Sequence, residues 1–301
     1  MGIREVMRTI RVGTRGSRLA RAQTDIALSL LRHSGMEEKM DVQVIKTSGD
    51  AGGAANPLEG SFADTINERI MDGRFDIGVH SMKDLPAVLP PELEIAVVPK
   101  RGSRHDCLVG PATLYRLPSG STVGTSSPRR VAQLARVRPD LRAVGMRGNV
   151  TTRISSLSSG RANAAILALA GIERLRAEPA KGMGVYPLSL DHFVPAAGQG
   201  AIAVVCRRGY MAASVRKAAS DSQTLGETDI ERELLRKLGA GCSVPLGISA
   251  VSFGRGYTVR IQLLSADGAR EAKLAASVAA GDGTAGVAAA FERLRTARFG
   301  T

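Results

Sequence analysis

The sequence predicts an α/β protein: two lobes of related build, followed by a smaller α+β C-terminal domain. Three observations carry that prediction. Short apolar runs alternate with helical periodicity up to about residue 206, as in strands joined by helical crossovers. A strand ending in Val-Gly-Thr passes through Ser and Arg into a helix twice, at residues 12–18 and 123–130, and a further helix and strand follow each time in the same order. Beyond residue 223 the pattern changes to one helix, three strand-like runs and an Ala-rich helix. These changes place a first lobe at 1–99 with 200–218, a second at 105–194 and the C-terminal domain at 223–301.

In order, Ile10 to Val12 reads as a strand, and Ser17 is placed to cap a helix whose apolar face is Leu19, Ala22, Ile26 and Leu30. Val42 to Ile45 is a second strand, followed by a Gly/Ala-rich loop over Ser48 to Gly60, of a composition that moves. Phe62, Ile66 and Ile70 mark a helix, Ile77 to Ser81 a strand, and Leu93, Ile95 and Val97 another. Lys100 to Asp106 is polar and reads as a hinge or linker. In the second half, Ser127 is a candidate N-cap with Pro128 at the first helical position. A helix at Val150 to Leu157 and strands at Ala164 to Leu169, Tyr186 to Leu190 and Ala201 to Cys206 follow. If the last rejoins the first sheet, the chain crosses between lobes twice, as a closing hinge requires. Thr228 and Glu231 read as a capping box, and Leu246 to Phe253 with Tyr257 to Leu264 as a hairpin.

A chain of 301 residues with 44% hydrophobic and 23% charged residues can bury a sizeable core. No apolar run approaches the roughly 18 to 20 residues that span a bilayer, and the N-terminus lacks the apolar stretch of a secretory leader. Cys107, Cys206 and Cys242 are odd in number and lack C-x-x-C spacing, which argues against a disulfide framework or a metal site and for a reducing cytoplasm. The net charge of +13 attracts polyanions or a ligand rich in carboxylate or phosphate. With 3% aromatics and no Trp, base stacking has little to work with, so nucleic acid is not the expected partner.

The stretch Asp76 to Pro86 (DIGVHSMKDLP) ends a strand in His80, Ser81, Lys83 and Asp84, either a solvated turn or an active site. Ser/Thr/Arg-rich helix starts at Thr14 to Arg18, Thr125 to Arg130 and Arg147 to Arg153 favour anions, since unpaired N–H groups and the helix dipole add to arginine there. None matches a nucleotide-binding glycine loop. Cys242, between Gly241 and Ser243, is by itself most simply a small buried hydrophobe.

Val-His-Ser-Met-Lys-Asp-Leu-Pro (79–86), Gly-Thr-Ser-Ser-Pro-Arg-Arg (124–130), Arg-Gly-Asn-Val-Thr-Thr-Arg (147–153), Pro-Ala-Ala-Gly-Gln-Gly (195–200) and Gly-Cys-Ser-Val-Pro (241–245) occur in that order. The series resembles the motifs of the porphobilinogen deaminase (hydroxymethylbilane synthase) family. The resemblance implies two periplasmic-binding-protein-like lobes with a hinge, and a third domain whose cysteine, here Cys242, carries a dipyrromethane cofactor through a thioether. It implies Asp84 as the catalytic aspartate. Arg15, Ser17, Lys83, Thr125, Ser127, Arg129, Arg130, Arg147 and Arg153 would hold acetate and propionate groups, Phe62 would stack over the cofactor, and Gln199 would lie at the domain crossing. The implied activity condenses porphobilinogen units into a linear tetrapyrrole with loss of ammonia, in a cytoplasmic monomer without nucleic-acid, membrane or metal partners. A carboxylate beside the pyrrole nitrogen stabilises the positive charge that develops as ammonia leaves. The sequence departs from the family at Glu59, where a lysine is usual. The alternative is a two-lobed anion-binding or sensor protein without chemistry.

Overall fold

The structure is a computed structural model that describes residues 9–45, 62–239, 244–279 and 281–300. The Ser48 to Gly60 loop, Glu59, the Phe62 side chain and Cys242 lie outside the described residues. The chain divides into two compact units, Met1–Arg101 with Ala201–Thr224, and Gly102–Gly200 with Leu225–Thr301.

The chain begins in the first unit with β1 (Ile10–Arg15), α1 (Arg18–His33), β2 (Met40–Ile45), α2 (Phe62–Met71), β3 (Ile77–Ser81) and β4 (Leu93–Val97). It continues in the second with β5 (Asp106–Gly110), β6 (Thr122–Gly124), α3 (Pro128–Val137), β7 (Arg142–Val144), α4 (Val150–Ser158), β8 (Ala164–Ala168), α5 (Leu169–Leu175) and β9 (Gly184–Pro187). It then supplies β10 (Ile202–Arg207) and α6 (Ala213–Ala219) to the first. After α7 (Ser222–Lys237), β11 (Leu246–Phe253), β12 (Gly256–Leu264) and β13 (Glu271–Ala279) form an antiparallel sheet covered by α8 (Ala285–Phe299), whose Phe291 is buried among Ile248, Val259 and Ile261.

The two five-stranded sheets have the same plan. The first runs β2-β1-β3-β10-β4 and the second β7-β6-β8-β5-β9. In each, the first three strands are parallel and the fourth is antiparallel to both neighbours. That fourth strand is always the one following a crossing of the chain: β5 after β4, β10 after β9. The related build read from the Val-Gly-Thr repeat is therefore a shared topology, and the strand expected near residue 201 does join the first sheet.

The glycine of each repeat has a packing cause. A Cβ on Gly13 would lie 2.3 Å from the Phe75 ring, and one on Gly124 would lie 2.4 Å from Met146 Cε. Both neighbours are about 1% exposed. A rigid ring has nowhere to move, whereas a methionine chain rotates. Gly13→Ala is therefore expected to destabilise by about 1–3 kcal/mol, and Gly124→Ala by distinctly less. Chemical denaturation of both variants checks the order, and equal losses would contradict it.

Two expected elements are placed elsewhere: the strand read at Tyr186 to Leu190 is β9 at Gly184–Pro187, and the helix read from Thr228 starts earlier. α7 begins at Ser222, well before Thr228, because Asp221 accepts the Thr224 N–H at 2.8 Å and caps the helix seven residues earlier than expected. Glu231 is not a capping partner. Its carboxylate is fully buried and accepts the N–H of Gly198 at 2.7 Å and of Ala250 at 2.9 Å, stapling the Pro195–Gly200 loop to β11. Among the described residues, no helix is long and apolar enough to cross a membrane.

Candidate functional site

In the first unit, β3 delivers the Asp76 to Pro86 motif. Ile77 and Val79 pack on the α1 side with Val12, Leu28 and Leu31, so alternation turns Gly78 and His80 toward α2. The strand then enters a 3-10 turn, Met82–Asp84. Met82 and Leu85 are buried, and the Met82 N–H donates to Ala201 O at 3.0 Å, so the turn is pinned from beneath. Leu85 is extended (φ −76, ψ 145), as the following proline demands. Lys83 is left half-buried and Asp84 exposed.

Arg15, at the end of β1, brings Nη1 to 3.9 Å from Asp84 Oδ2; the side chains are 31% and 47% exposed. An exposed pair at that separation adds at most about 1 kcal/mol of stability. The fold therefore does not need Asp84. Ser17 caps α1 by accepting the Ala20 N–H at 3.2 Å, as expected, and Ser81 donates to Gln23 at 2.9 Å, tying the turn to α1.

The second unit is built around Asp106, which is fully buried at the start of β5. Arg129 Nη1 donates to its Oδ2 at 2.7 Å, and Arg130 Nη2 and Nε donate to its Oδ1 at 2.7 and 2.9 Å. Arg129 also donates to Gln133 and Val194 O, and Arg130 to Ile166 O. Gln199, fully buried, donates to Asp106 Oδ1 and Arg104 O, each at 2.9 Å. Burial alone would raise the Asp106 pKa, but the two guanidinium charges outweigh it and hold the carboxyl well below its ordinary range. Arg129 is lowered by burial, with Asp106 opposing. Two cations on one anion leave the cluster net positive. That field is felt at Arg153, whose pKa is lowered first by its own burial and then by Arg130.

Thr125 is buried and accepts the Ser127 N–H at 3.3 Å. Ser127 occupies the N-cap position of α3, yet its side chain makes no capping bond, in contrast to the expectation. Its hydroxyl is thus not spent on the helix. At α4, Asn149 is the cap and accepts the Thr152 N–H at 2.9 Å; Arg153 Nε donates to Gly148 O at 2.8 Å, and Arg147 is exposed.

The first turns of α1, α3 and α4 contain no acidic residue. Acids normally gather there to complement the positive helix end. These starts instead carry Arg18, Arg129 with Arg130, and Arg153. Cations at a positive dipole end repel it unless an anion completes the site, so the donor set fits a ligand bearing several carboxylates. Among the described residues, no cluster of His, Cys, Asp or Glu could hold a metal ion.

The structure brings Arg15, Ser17, Lys83 and Asp84 to the β1 and β3 ends of the first unit, and Arg129, Arg130 and Gln199 to Asp106 in the second. Thr125 and Ser127 lie at the start of α3, and Arg147 and Arg153 flank the start of α4. Asp106 was missed by sequence reasoning, which placed it in a linker. Its signal was slight: an aspartate opening the apolar run Cys107-Leu108-Val109.

Comparison with known proteins is consistent across the chain. Residues 10–214 match the family model "Porphobilinogen deaminase, dipyromethane cofactor binding domain", and residues 225–287 match its C-terminal domain. A probable porphobilinogen deaminase of Methanococcoides burtonii is 41% identical over 272 residues, covering 87% of this chain and 86% of the relative. The porphobilinogen deaminase of Rubrobacter xylanophilus is 41% identical over 266 residues (86% and 85%), and that of Deinococcus deserti 38% over 276 (88% of each). Among solved structures, the BenM effector-binding domain aligns with 77% of this chain and 93% of its own at 14% identity and TM-score 0.43, too remote to carry a functional conclusion. The chain therefore belongs to the porphobilinogen deaminase (hydroxymethylbilane synthase) family, transferases of tetrapyrrole synthesis that bind a dipyrromethane cofactor.

Proposed function

We propose that this protein condenses four porphobilinogen units head to tail onto a dipyrromethane held by a thioether at Cys242, releasing four ammonia and the linear tetrapyrrole hydroxymethylbilane. The observation that carries the reading is the charge pattern of the helix starts. Three positive helix ends bear arginine in place of acid, and an aspartate that the fold does not need stands 3.9 Å from Arg15.

The chemistry asks for these groups. Each substrate ring brings two carboxylates, which Arg15, Ser17 and Lys83 in one unit and Thr125, Ser127, Arg147 and Arg153 in the other are suited to receive. Arg129 and Arg130 act from within, as a buried positive field behind the α3 start. When bound, the dipyrromethane supplies the free α-carbon that serves as nucleophile, so no Ser–His pair is required. Asp84 stabilises the positive charge on the pyrrole nitrogen as ammonia departs, and takes and returns protons there. Arg15 orients it.

The other two cysteines support Cys242 as the attachment point. Cys107 and Cys206 are fully buried, and burial pushes their thiols up to about 12 and about 11. Neither supplies a thiolate at neutral pH. The protein is proposed to act as a cytoplasmic monomer. Incubation with porphobilinogen tests the reading: four ammonia are expected for each hydroxymethylbilane released. Reversible binding without ammonia would overturn it in favour of an anion-binding protein.

A further inference from the structure

Behind the Arg15–Asp84 pair, the α2 side of the first sheet buries polar atoms that no group among the described residues satisfies. His80 is 5% exposed and its Nε2 has no hydrogen-bond partner; Asn67, 2% exposed on α2, has none for either amide atom. Most such groups in native proteins are satisfied, and those that are not call for a cause. The space has been kept for the ring. A Cβ on Gly78 would lie 2.9 Å from His80 Nε2 and 2.6 and 2.9 Å from the α2 side chains Ile66 and Ile70, so the ring tip lies against α2. Asn67 shares the side of α2 that holds Asp64, three residues away.

The charged groups facing the ring are Arg15 from β1 and Asp64 from α2, while β10 opposes it with Ala203. Burial first, and then the Arg15 charge, push the His80 pKa down to about 4, with Asp64 opposing. The ring is neutral at physiological pH and keeps an acceptor lone pair. An acceptor within Coulombic reach of a guanidinium, but not directly bonded to it, is linked to it through ordered water where the surroundings are polar.

We propose that His80, backed by Asn67, is a positioning residue for Arg15: its neutral imidazole and the Asn67 amide share an ordered water that fixes the guanidinium beside Asp84. An apolar side chain at position 80 would pack as well but would remove this link to the guanidinium. The role rests on the proposed reaction only where substrate affinity is concerned.

Three measurements on the cofactor-loaded protein test it. A crystal structure near 1.5 Å resolution is expected to show a water bonded to His80 Nε2 at about 3 Å, and a dry contact there would overturn the proposal. By NMR the His80 ring should remain neutral down to about pH 4, and a midpoint near the ordinary 6.5 would overturn it. For turnover, His80→Leu is expected to raise KM for porphobilinogen about tenfold, more than it changes kcat, with His80→Gln restoring most of the loss; this is the effect of one lost charge-assisted bond. KM unchanged in a folded His80→Leu would overturn it. If the protein does not turn over porphobilinogen at all, the proposed reaction fails, while the water and the titration still decide the role of His80.

Discussion

Asp84→Ala is expected to lower kcat on the order of 10³-fold or more, because the role proposed for Asp84 joins general acid–base work to stabilisation of developing charge. That corresponds to about 4 kcal/mol of barrier. The fold should not register the change. Asp84 is exposed, and its ion pair with Arg15 at 3.9 Å contributes little in water. Thermal stability within about 0.5 kcal/mol of the parent is expected. Asp84→Asn should fall close to Asp84→Ala, since shape is kept and charge is not. Steady-state kinetics with a melting curve on each variant check this, and turnover within a fewfold of the parent would remove Asp84 from the mechanism.

Asp106→Ala is expected to do the reverse, striking stability first. Arg129 and Arg130 are 5% and 6% exposed, and Asp106 is the carboxylate they share. Removing one partner of a buried ion cluster leaves uncompensated charge and costs about 3–5 kcal/mol. At about 2–4 °C per kcal/mol for a chain of this class, the melting temperature should drop by roughly 10 °C. The pH dependence has a definite sign. Because the folded-state pKa of Asp106 lies below its ordinary 3.8, its contribution is complete above that value and is lost as pH falls through it toward the folded pKa. His80 adds a separate window: ordinary value 6.5, about 4 when folded, so stability is lost as pH falls from 6.5 toward 4. Acid melting curves should therefore soften in two stages, and Asp106→Asn should abolish the lower one. A melting temperature unchanged in Asp106→Ala would contradict the account of the cluster.

What the sequence made legible was local or periodic. The Val-Gly-Thr repeat announced two sheets of one plan, since each glycine sits where a large side chain crosses the strand. Ser17 could be named as a cap because capping is decided within four residues. Asp84 on a pinned turn followed from strand alternation ended by Pro86. The residues that escaped depend on partners far away in the chain. Asp106 lies 23 and 24 residues from its two arginines and 93 from Gln199, so nothing nearby showed that its charge is buried. Glu231 matched a capping box by spacing but is drawn instead to backbone N–H groups 33 and 19 residues away. Arg129 and Arg130 were expected to face carboxylates of the ligand, while they bond inward to Asp106 and backbone oxygens, which only tertiary packing decides.

The central claim is that Cys242 carries a covalent dipyrrole, and intact-mass spectrometry of the purified protein tests it most directly. The mass should exceed that of the sequence by one dipyrromethane unit, and Cys242→Ser should show the sequence mass without the excess and lack turnover. An unmodified protein that is fully active would contradict the account.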